Sequence, residues 1–219
     1  MTTSPSGDRL RVGAVPGVTL TKWRRIWEER FPWVTLDVLE VDEADQRRVL
    51  AEDAVDMCFV RLPVDQEGLH AIPLYDEVMV AWASKEHPVS VLDEVTLADL
   101  AGETVVDAVT AESVDVAAHS GATVLLVPMS VARSHSRRDM AYRPVTDAPP
   151  STVALAWRTD SDNEWVDEFI GVVRGRTVNS SRTARERGDE PAAAKPAPAR
   201  KAAGSKGSRQ APRRRPRRR

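Results

Sequence analysis

The chain has 219 residues, a formal net charge of −2 and one cysteine, which excludes an internal disulfide. No run of eighteen consecutive apolar residues is present, so the sequence shows no candidate transmembrane helix. Its first residues, MTTSPSGDRLRVG, contain no apolar stretch typical of a signal peptide, and we therefore expect a cytoplasmic protein with no membrane partner.

The near-neutral total charge conceals two oppositely charged segments. Residues 179–219 carry 14 Lys and Arg against 3 Asp and Glu, a net charge of +11, whereas residues 1–178 carry 17 against 30, a net charge of −13. The sequence therefore predicts an acidic folded body joined to a basic arm. The body is long enough for one medium domain or for two small lobes.

Strand and helix patterns alternate in the first part of the body. The run LRVGAVPG predicts a buried strand that ends at Gly17, and apolar residues from Leu20 to Phe31 follow helical spacing, with Thr19 or Thr21 as the N-cap. WVTLDVLEVD predicts a second strand, ADQRRVLAED a second helix, and VDMCFVRLP a third strand that ends at Pro63. This order implies a parallel sheet covered by helices on both faces.

The second part of the body predicts a smaller α/β unit. In chain order, the patterns predict two strands bent around residues 73–76, a short turn in TLADLAG, a helix in AESVDVAAHSG, the strand TVLLVP, a helix in PMSVARSH, two strands in MAYRPVTD and STVALAWRTD, and a closing helix in DNEWVDEFIGVVRGR. We therefore assign residues 81–158 to a second lobe, and residues 9–80 and 159–175 to the first lobe.

The basic arm, residues 179–219, contains almost no large apolar residues and is rich in Pro, Ala, Gly, Lys and Arg. Such a segment cannot bury enough surface to offset the entropy of ordering, so we predict that it is disordered, as are residues 1–8. Flexible cations bind nucleic acid by releasing counterions. The candidate contacts to DNA or RNA are the terminal arginines: Arg213, Arg214, Arg215, Arg217, Arg218 and Arg219. Two other interpretations stay open: a solubilising tail, or a tail held by an acidic protein, including the chain's own body.

No motif for catalysis or for phosphate, dinucleotide or zinc binding is present. The four histidines, at 70, 87, 119 and 135, lack the spacing of metal ligands, and His87 is expected to cap a turn before Pro88. Cys58 lies in an apolar run and is expected in the core. We therefore predict no enzyme, no catalytic residue, no metal and no cofactor.

The run from Ala54 to Ser90 closely resembles the effector-binding domain of LysR-type transcriptional regulators. The resemblance extends over residues 9 to 174, with VTLADLAGE, SGATVLLVPMSVAR, YRPVTD and ALAWRTD in the family's order. The landmarks that carry it in the first run are Asp56, Pro63, Gly68, Leu69, Pro73, Leu74, Glu77, His87 and Pro88.

The resemblance implies a type 2 periplasmic-binding-protein fold, with two small α/β lobes and a small-molecule site in the cleft between them. In open α/β sheets, ligands lie beyond the carboxyl ends of the strands, where helix N-termini favour anions. We expect a small anion, with Thr19 donating its hydroxyl and Arg61 pairing with a carboxylate; Thr19 as a simple cap and Arg61 as a surface charge are the alternatives. The candidate ligand-binding residues are Pro16, Gly17, Val18, Thr19, Arg61, Leu62, Pro63, Thr110, Pro128 and Met129.

The sequence departs from the family pattern at two places. Only nine residues precede Leu10, where the family has a winged helix-turn-helix, and the second lobe is shortened between Glu103 and the AESVDV helix. Two hypotheses follow. The body is either an effector-sensing module in transcriptional regulation, tethered to nucleic acid by the basic arm, or a ligand-free scaffold or adaptor associated with the nucleoid, RNA or the ribosome. The resemblance also implies a homodimer formed through the first lobe.

Overall fold

A computed structural model of the protein describes residues 9–135 and 137–176, so the predictions for segments 1–8 and 179–219 lie outside the described residues. The strands are β1 (Arg9–Ala14), β2 (Thr35–Glu40), β3 (Met57–Arg61), β4 (Leu69–Glu77), β5 (Met79–Ser84), β6 (Thr104–Val106), β7 (Thr123–Pro128), β8 (Met140–Pro144) and β9 (Ser151–Arg158). The helices are α1 (Thr21–Arg30), α2 (Gln46–Ala51), α3 (Ala111–His119), α4 (Met129–Ser134) and α5 (Trp165–Val173).

The first lobe is built on a five-stranded sheet with the order β2-β1-β3-β9-β4. β1 pairs in parallel with β2 and β3, as the predicted β-α-β-α-β order requires, and β9 runs antiparallel between β3 and β4. Helices α1 and α5 lie against one face, and α2 lies against the other. The carboxyl ends of β1 and β3 therefore meet at one edge of the sheet, which faces the second lobe.

The second lobe is built on a four-stranded sheet with the order β6-β7-β5-β8. Helices α3 and α4 pack on one face of it, and the turns of the segment 88–101 cover the other. The short run TVVDAVT supplies only the edge strand β6, which pairs in parallel with β7. The result is the predicted fold class: two small α/β lobes, the second one shortened.

The chain crosses between the lobes twice, once at Val78, between β4 and β5, and once in residues 145–150, between β8 and β9. The split based on the sequence kept residues 81–158 in the second lobe, but β9 pairs with β3 and β4 of the first lobe. Its apolar run, Val153 to Trp157, suits a buried strand of either sheet. The pairing of β9 with β3, in which Leu155 lies opposite Phe59, places it in the first lobe. The first lobe is therefore larger than the sequence indicated.

An aromatic cluster fills the core of the first lobe. Trp27 is fully buried, and its indole Nε1–H donates to the carbonyl oxygen of Val34 at 3.1 Å. Its ring lies 4.7 Å from that of Phe31, 5.6 Å from that of Phe169 and 6.1 Å from that of Trp165. Because Trp165 and Phe169 lie on α5 and Trp27 lies on α1, this cluster packs the two helices against each other.

Replacing Trp27 with alanine should lower the free energy of unfolding by about 3 to 5 kcal/mol, because it removes this packing and leaves a cavity. Urea denaturation followed by circular dichroism measures the change. Trp33 provides the matched control because it is 64% exposed, so Trp33→Ala should cost less than about 1 kcal/mol. Equal losses in the two variants would contradict the central place of Trp27.

Candidate functional site

The side chain of Arg61, at the carboxyl end of β3, lies at the junction of the two lobes and is only 2% exposed. Its Nη1 donates to the carbonyl oxygen of Pro16 at 2.9 Å. Its Nη2 donates to Glu77 Oε2 at 2.7 Å and to Ser130 Oγ at 3.2 Å. Pro16 and Glu77 belong to the first lobe, and Ser130 lies on α4 of the second lobe. Arg61 is therefore an internal cation that joins the lobes, and not a surface charge.

The backbone of Arg61 is fixed by Gln46, a buried residue at the start of α2. The Arg61 N–H donates to Gln46 Oε1 at 2.8 Å, and Gln46 Nε2 donates back to the Arg61 carbonyl oxygen at 3.1 Å. The Gln46 side-chain amide therefore makes two hydrogen bonds to the backbone of Arg61, one as donor and one as acceptor. This bridge holds the guanidinium at the cleft, although Gln46 itself lies away from it.

Direct contact between Gly17 and Ser130 closes the centre of the cleft. Gly17 has a φ of +87°, a conformation that favours glycine, and a Cβ at this position would meet Ser130 Oγ, with the Val131 backbone nitrogen 2.9 Å away. Because the loop after β1 touches the first turn of α4 without an intervening side chain, no ligand fits between these two residues.

Among the described residues, a cavity lies on each side of this contact. The β2-side cavity, of about 950 Å³, lies between the loop after β1, the end of β2, the start of α2, and Ser134 and His135 of the second lobe. The hinge-side cavity, of about 560 Å³, lies between Tyr75, Glu77 and Val78 of the first lobe and Met129 to Ser134 of the second. Gly17 and Thr19 line both cavities.

A tyrosine hydroxyl faces the hinge-side cavity. Burial, and then the neighbouring Glu77 carboxylate, raise the pKa of the Tyr75 hydroxyl, while Arg61 acts in the opposite direction. Tyr75 therefore stays protonated at neutral pH and presents a hydroxyl to this cavity. Arg133, whose Nε donates to the Tyr142 hydroxyl at 3.3 Å, lines the opposite side.

The structure brings six of the ten candidate ligand-binding residues together around the cleft. Pro16, Gly17, Val18 and Thr19 line the β2-side cavity, Met129 lines the hinge-side cavity, and Arg61 lies at the junction. Thr19 is not the cap of α1, because the N-cap position is Leu20 and carries no side-chain hydrogen bond.

The other four candidates line neither cavity. Thr110 is the N-cap of α3: its Oγ1 accepts a hydrogen bond from the Ser113 N–H at 3.0 Å, and Ser113 Oγ accepts one from the Thr110 N–H at 2.9 Å. Leu62 and Pro63 follow β3, with Leu62 packed against the core on the α2 side of the sheet. Pro128 is buried at the end of β7, immediately before the residues that face the cleft.

Sequence reasoning missed three residues that shape this site: Gln46, Glu77 as the partner of Arg61, and Ser130. Glu77 was noted only as a family landmark, although a carboxylate at the start of an apolar strand already indicates a buried partner. Gln46 and Ser130 carry no comparable signal in the sequence, because their contacts depend on residues 15 and 69 positions away.

The remaining candidate groups lie away from the cleft. His87 is fully buried and its Nδ1 accepts from the Val89 N–H at 3.2 Å, which confirms that it caps the turn after it. Within residues 9–135 and 137–176, no three His, Cys, Asp or Glu side chains are grouped so that they could hold a metal ion. No helix in the described part of the chain is long and apolar enough to cross a membrane.

A family model of the LysR substrate binding domain matches residues 3–113, half of the chain. The chain belongs to this family. Its similarity to solved structures extends over both lobes. The effector-binding domain of BenM with its effector benzoate has a TM-score of 0.63 at 17% identity, covering 84% of this chain and 96% of that one. The OxyR regulatory domain from Pseudomonas aeruginosa, solved as a point mutant, has a TM-score of 0.62 at 21% identity, covering 78% and 99%. At these identities the likeness shows the fold alone.

Curated relatives match a shorter segment of this LysR-type domain. A probable hydrogen peroxide-inducible genes activator from Mycobacterium xenopi is 34% identical over 89 residues, which are 39% of this chain and 47% of the relative. The protein of the same name from Mycobacterium avium is 33% identical over 91 residues, 40% of this chain and 29% of the relative. The match thus spans less than half the length of each of these relatives.

The closed centre of the cleft makes Gly17 intolerant of a side chain. Gly68 is the matched control because it has a φ of +70° and open space where a Cβ would lie. Gly68→Ala should cost about 1 to 2 kcal/mol of unfolding free energy, from the backbone conformation alone. Gly17→Ala should cost about 1 to 3 kcal/mol more, because its Cβ collides with α4. Chemical denaturation of both variants measures the difference, and equal costs would show that the lobes do not touch here.

Proposed function

We propose that this LysR-type domain is an effector-sensing module in transcriptional regulation, held at nucleic acid by its basic arm. The observation that carries the proposal is the pair of cavities beside the Gly17–Ser130 contact, at the edge where the candidate residues of the first lobe meet α4. A ligand in either cavity touches both lobes, so its binding changes how they are held together.

The charge distribution supports the role of the arm. Residues 179–219 carry a net charge of +11 and end in six arginines among the last seven residues, beside a body with a net charge of −13. Cations of this kind bind the phosphate backbone without reading sequence, and their binding weakens steeply as salt rises. The acidic body is repelled by the same phosphates, so the arm is the segment that makes the contact.

A peroxide-sensing thiol is not part of this proposal, although the relatives are named for hydrogen peroxide. Oxidation by peroxide requires a thiolate. Cys58 is the chain's one cysteine and is fully buried, and burial raises its pKa to about 12. At neutral pH it is therefore a protonated core residue.

Two observations favour a second candidate, the ligand-free scaffold. The guanidinium of Arg61 is already paired with Glu77, and the Gly17–Ser130 contact occupies the centre of the cleft. A domain that keeps its lobes closed without a ligand presents one fixed surface to a partner. In this candidate the arm keeps its role at nucleic acid and the body recruits a protein.

Fluorescence anisotropy with a random DNA duplex and a random RNA duplex, measured across a salt series, tests the role of the arm. The full chain should bind, and the dependence of log K on log salt should correspond to six or more neutralised phosphates, a slope of about −5 or steeper on DNA. A 1–178 truncation should not bind at physiological salt.

The matched control is the full chain with the six arginines between 213 and 219 replaced by glutamine, which keeps the length and removes six charges. Its slope should fall by about 5. Unchanged binding in this variant would contradict the assignment of the terminal arginines. Binding by the truncation would place the contact on the body and would contradict the tether.

A further inference from the structure

The negative charge of the body is concentrated on one side of the second lobe. The segment from Glu86 to Ala132 contains eight Asp and Glu and no Lys or Arg, so 47 of the 178 body residues carry −8 of its net charge of −13. Within this segment, residues 91–107 form what we call the acidic face. It consists of the turns that cover the sheet on the side opposite α3 and α4, followed by the edge strand β6.

The charge of the acidic face is not cancelled by cations from neighbouring elements. Arg143 of β8 reaches the turns, but its guanidinium donates to the backbone carbonyl oxygens of Ser90 and Leu92. Among the residues that the structure describes, no Lys or Arg forms an ion pair with a carboxylate of the face. These carboxylates are Asp93, Glu94, Asp99, Glu103 and Asp107. The face therefore presents net negative charge to solvent.

Apolar side chains are exposed on the same face. Val91, which is 83% exposed, Leu92 and Leu97 all lie in the turns. Val105 of β6 is opposite Val124 in the register, and Val124 packs beneath the turns, so both side chains lie on this side of the sheet. The 17 residues of the face thus hold four of the nine large apolar residues that are exposed in the described chain. Such a concentration of exposed apolar side chains is typical of an interaction surface.

The chain itself contains a segment of complementary chemistry. The basic arm, residues 179–219, has a net charge of +11 and is otherwise rich in Pro and Ala. Lys and Arg side chains lay their alkyl stems along apolar surface while their charged ends contact polar groups. The arm therefore matches both components of the face, the carboxylates and the exposed Val and Leu side chains.

The arm is also long enough to reach the acidic face. It follows α5, which ends at Val173 in the first lobe. The 37 residues from Arg176 to Arg213 span at most about 120 Å, at roughly 3.3 Å per residue, whereas a compact body of this size is about 40 Å across. Because arm and face belong to one molecule, their effective concentration is on the order of millimolar. Exposed ion pairs that are individually weak therefore suffice for docking.

We propose that the acidic face is the docking surface for the basic arm of the same chain, and that the arm occupies it when no nucleic acid is bound. The same cations cannot contact the face and a phosphate backbone at once, so nucleic acid has to displace the face. This inference goes beyond the proposed function, because it adds a competitor within the chain for the contact between the arm and nucleic acid. It does not depend on a ligand in the cleft.

Zero-length cross-linking of the full chain with a carbodiimide locates the arm, because this reagent joins a lysine amine to a carboxylate in contact with it. Three of the five lysines lie in the arm, at positions 195, 201 and 206. The face holds 5 of the 30 body carboxylates, one sixth of the total. In the cross-linked monomer, about half or more of the links from the arm should nevertheless end on the face.

Two results of this experiment would overturn the proposal. Links that are spread over the body in proportion to its carboxylates, or no links from the arm at all, would show that the face is not the docking surface. A cross-linked dimer in place of the monomer would show that the arm docks on a second copy of the chain.

A variant of the face tests the competition with nucleic acid. Asp93→Asn, Glu94→Gln and Asp107→Asn together remove three exposed charges from the face. Because the arm is released, the full-length triple variant should bind a random DNA duplex about threefold more tightly or better. Fluorescence anisotropy at physiological salt measures the change.

The matched control removes three exposed charges from the first lobe, by Glu28→Gln, Glu43→Gln and Asp162→Asn. It reduces the general repulsion between body and phosphate by the same net charge, and its gain in affinity should be less than about half that of the face variant. Equal gains in the two variants would overturn the competition, because general repulsion would then explain both.

The two experiments separate this inference from the proposed function. Links between arm and face in a chain that binds no nucleic acid would support the docking and contradict the tether. Binding of DNA by a chain whose links are spread evenly over the body would overturn the docking and leave the tether intact.

Discussion

The arrangement of the two lobes depends on one buried guanidinium. Arg61 is desolvated at the end of β3, and a desolvated charge is tolerated only when it is paired and hydrogen-bonded. Its partners are a carbonyl of the loop after β1, a carboxylate at the end of β4 and a hydroxyl on α4. These three partners come from both lobes. The hydrogen bonds of the guanidinium therefore hold the loop after β1, the end of β4 and helix α4 of the second lobe in one arrangement. Gly17 then has to be glycine, because the loop is drawn against α4.

This constraint decides where a ligand fits. In the fold of this family the cleft lies between the two lobes, and here its centre is occupied by the chain's own contacts. The remaining space lies on either side, and the larger cavity borders β2 and α2 rather than the second-lobe residues expected from the sequence. Charged side chains of both signs line this cavity, among them Arg24, Glu40 and Asp42. In the proposed function the basic arm and the cleft serve separate purposes, since the arm would contact phosphate and the cleft would select a small molecule.

Much of the fold was predictable because its helices and strands depend on residues that are close in the sequence. The helical spacing of α1 and the apolar face of α5 each depend on neighbours within a few positions, and the alternation of strands and helices implies the parallel half of the first sheet. The placement of β9 was not predictable in this way, since its pattern fits either sheet and pairing with β3 decides. The site was predicted less completely because it also depends on contacts between residues that are distant in the sequence. The loop from Pro16 to Thr19 follows a strand end, a local feature, whereas the partners of Arg61 are Glu77 and Ser130, which only the folded chain brings together.

The most direct test of this account is the distance between the lobes, measured by pulsed electron paramagnetic resonance with spin labels on cysteines placed at Glu43 and Glu112. Both positions are exposed, one in each lobe, and Cys58 is buried and stays unlabelled. The account predicts a single narrow distance distribution for the ligand-free chain, and a longer or broader one when Ser130→Ala removes the hydrogen bond between the lobes or Arg61→Gln removes the cation. A broad distribution in the unmodified chain, or the same distribution in all three proteins, would contradict the claim that Arg61 holds the lobes closed.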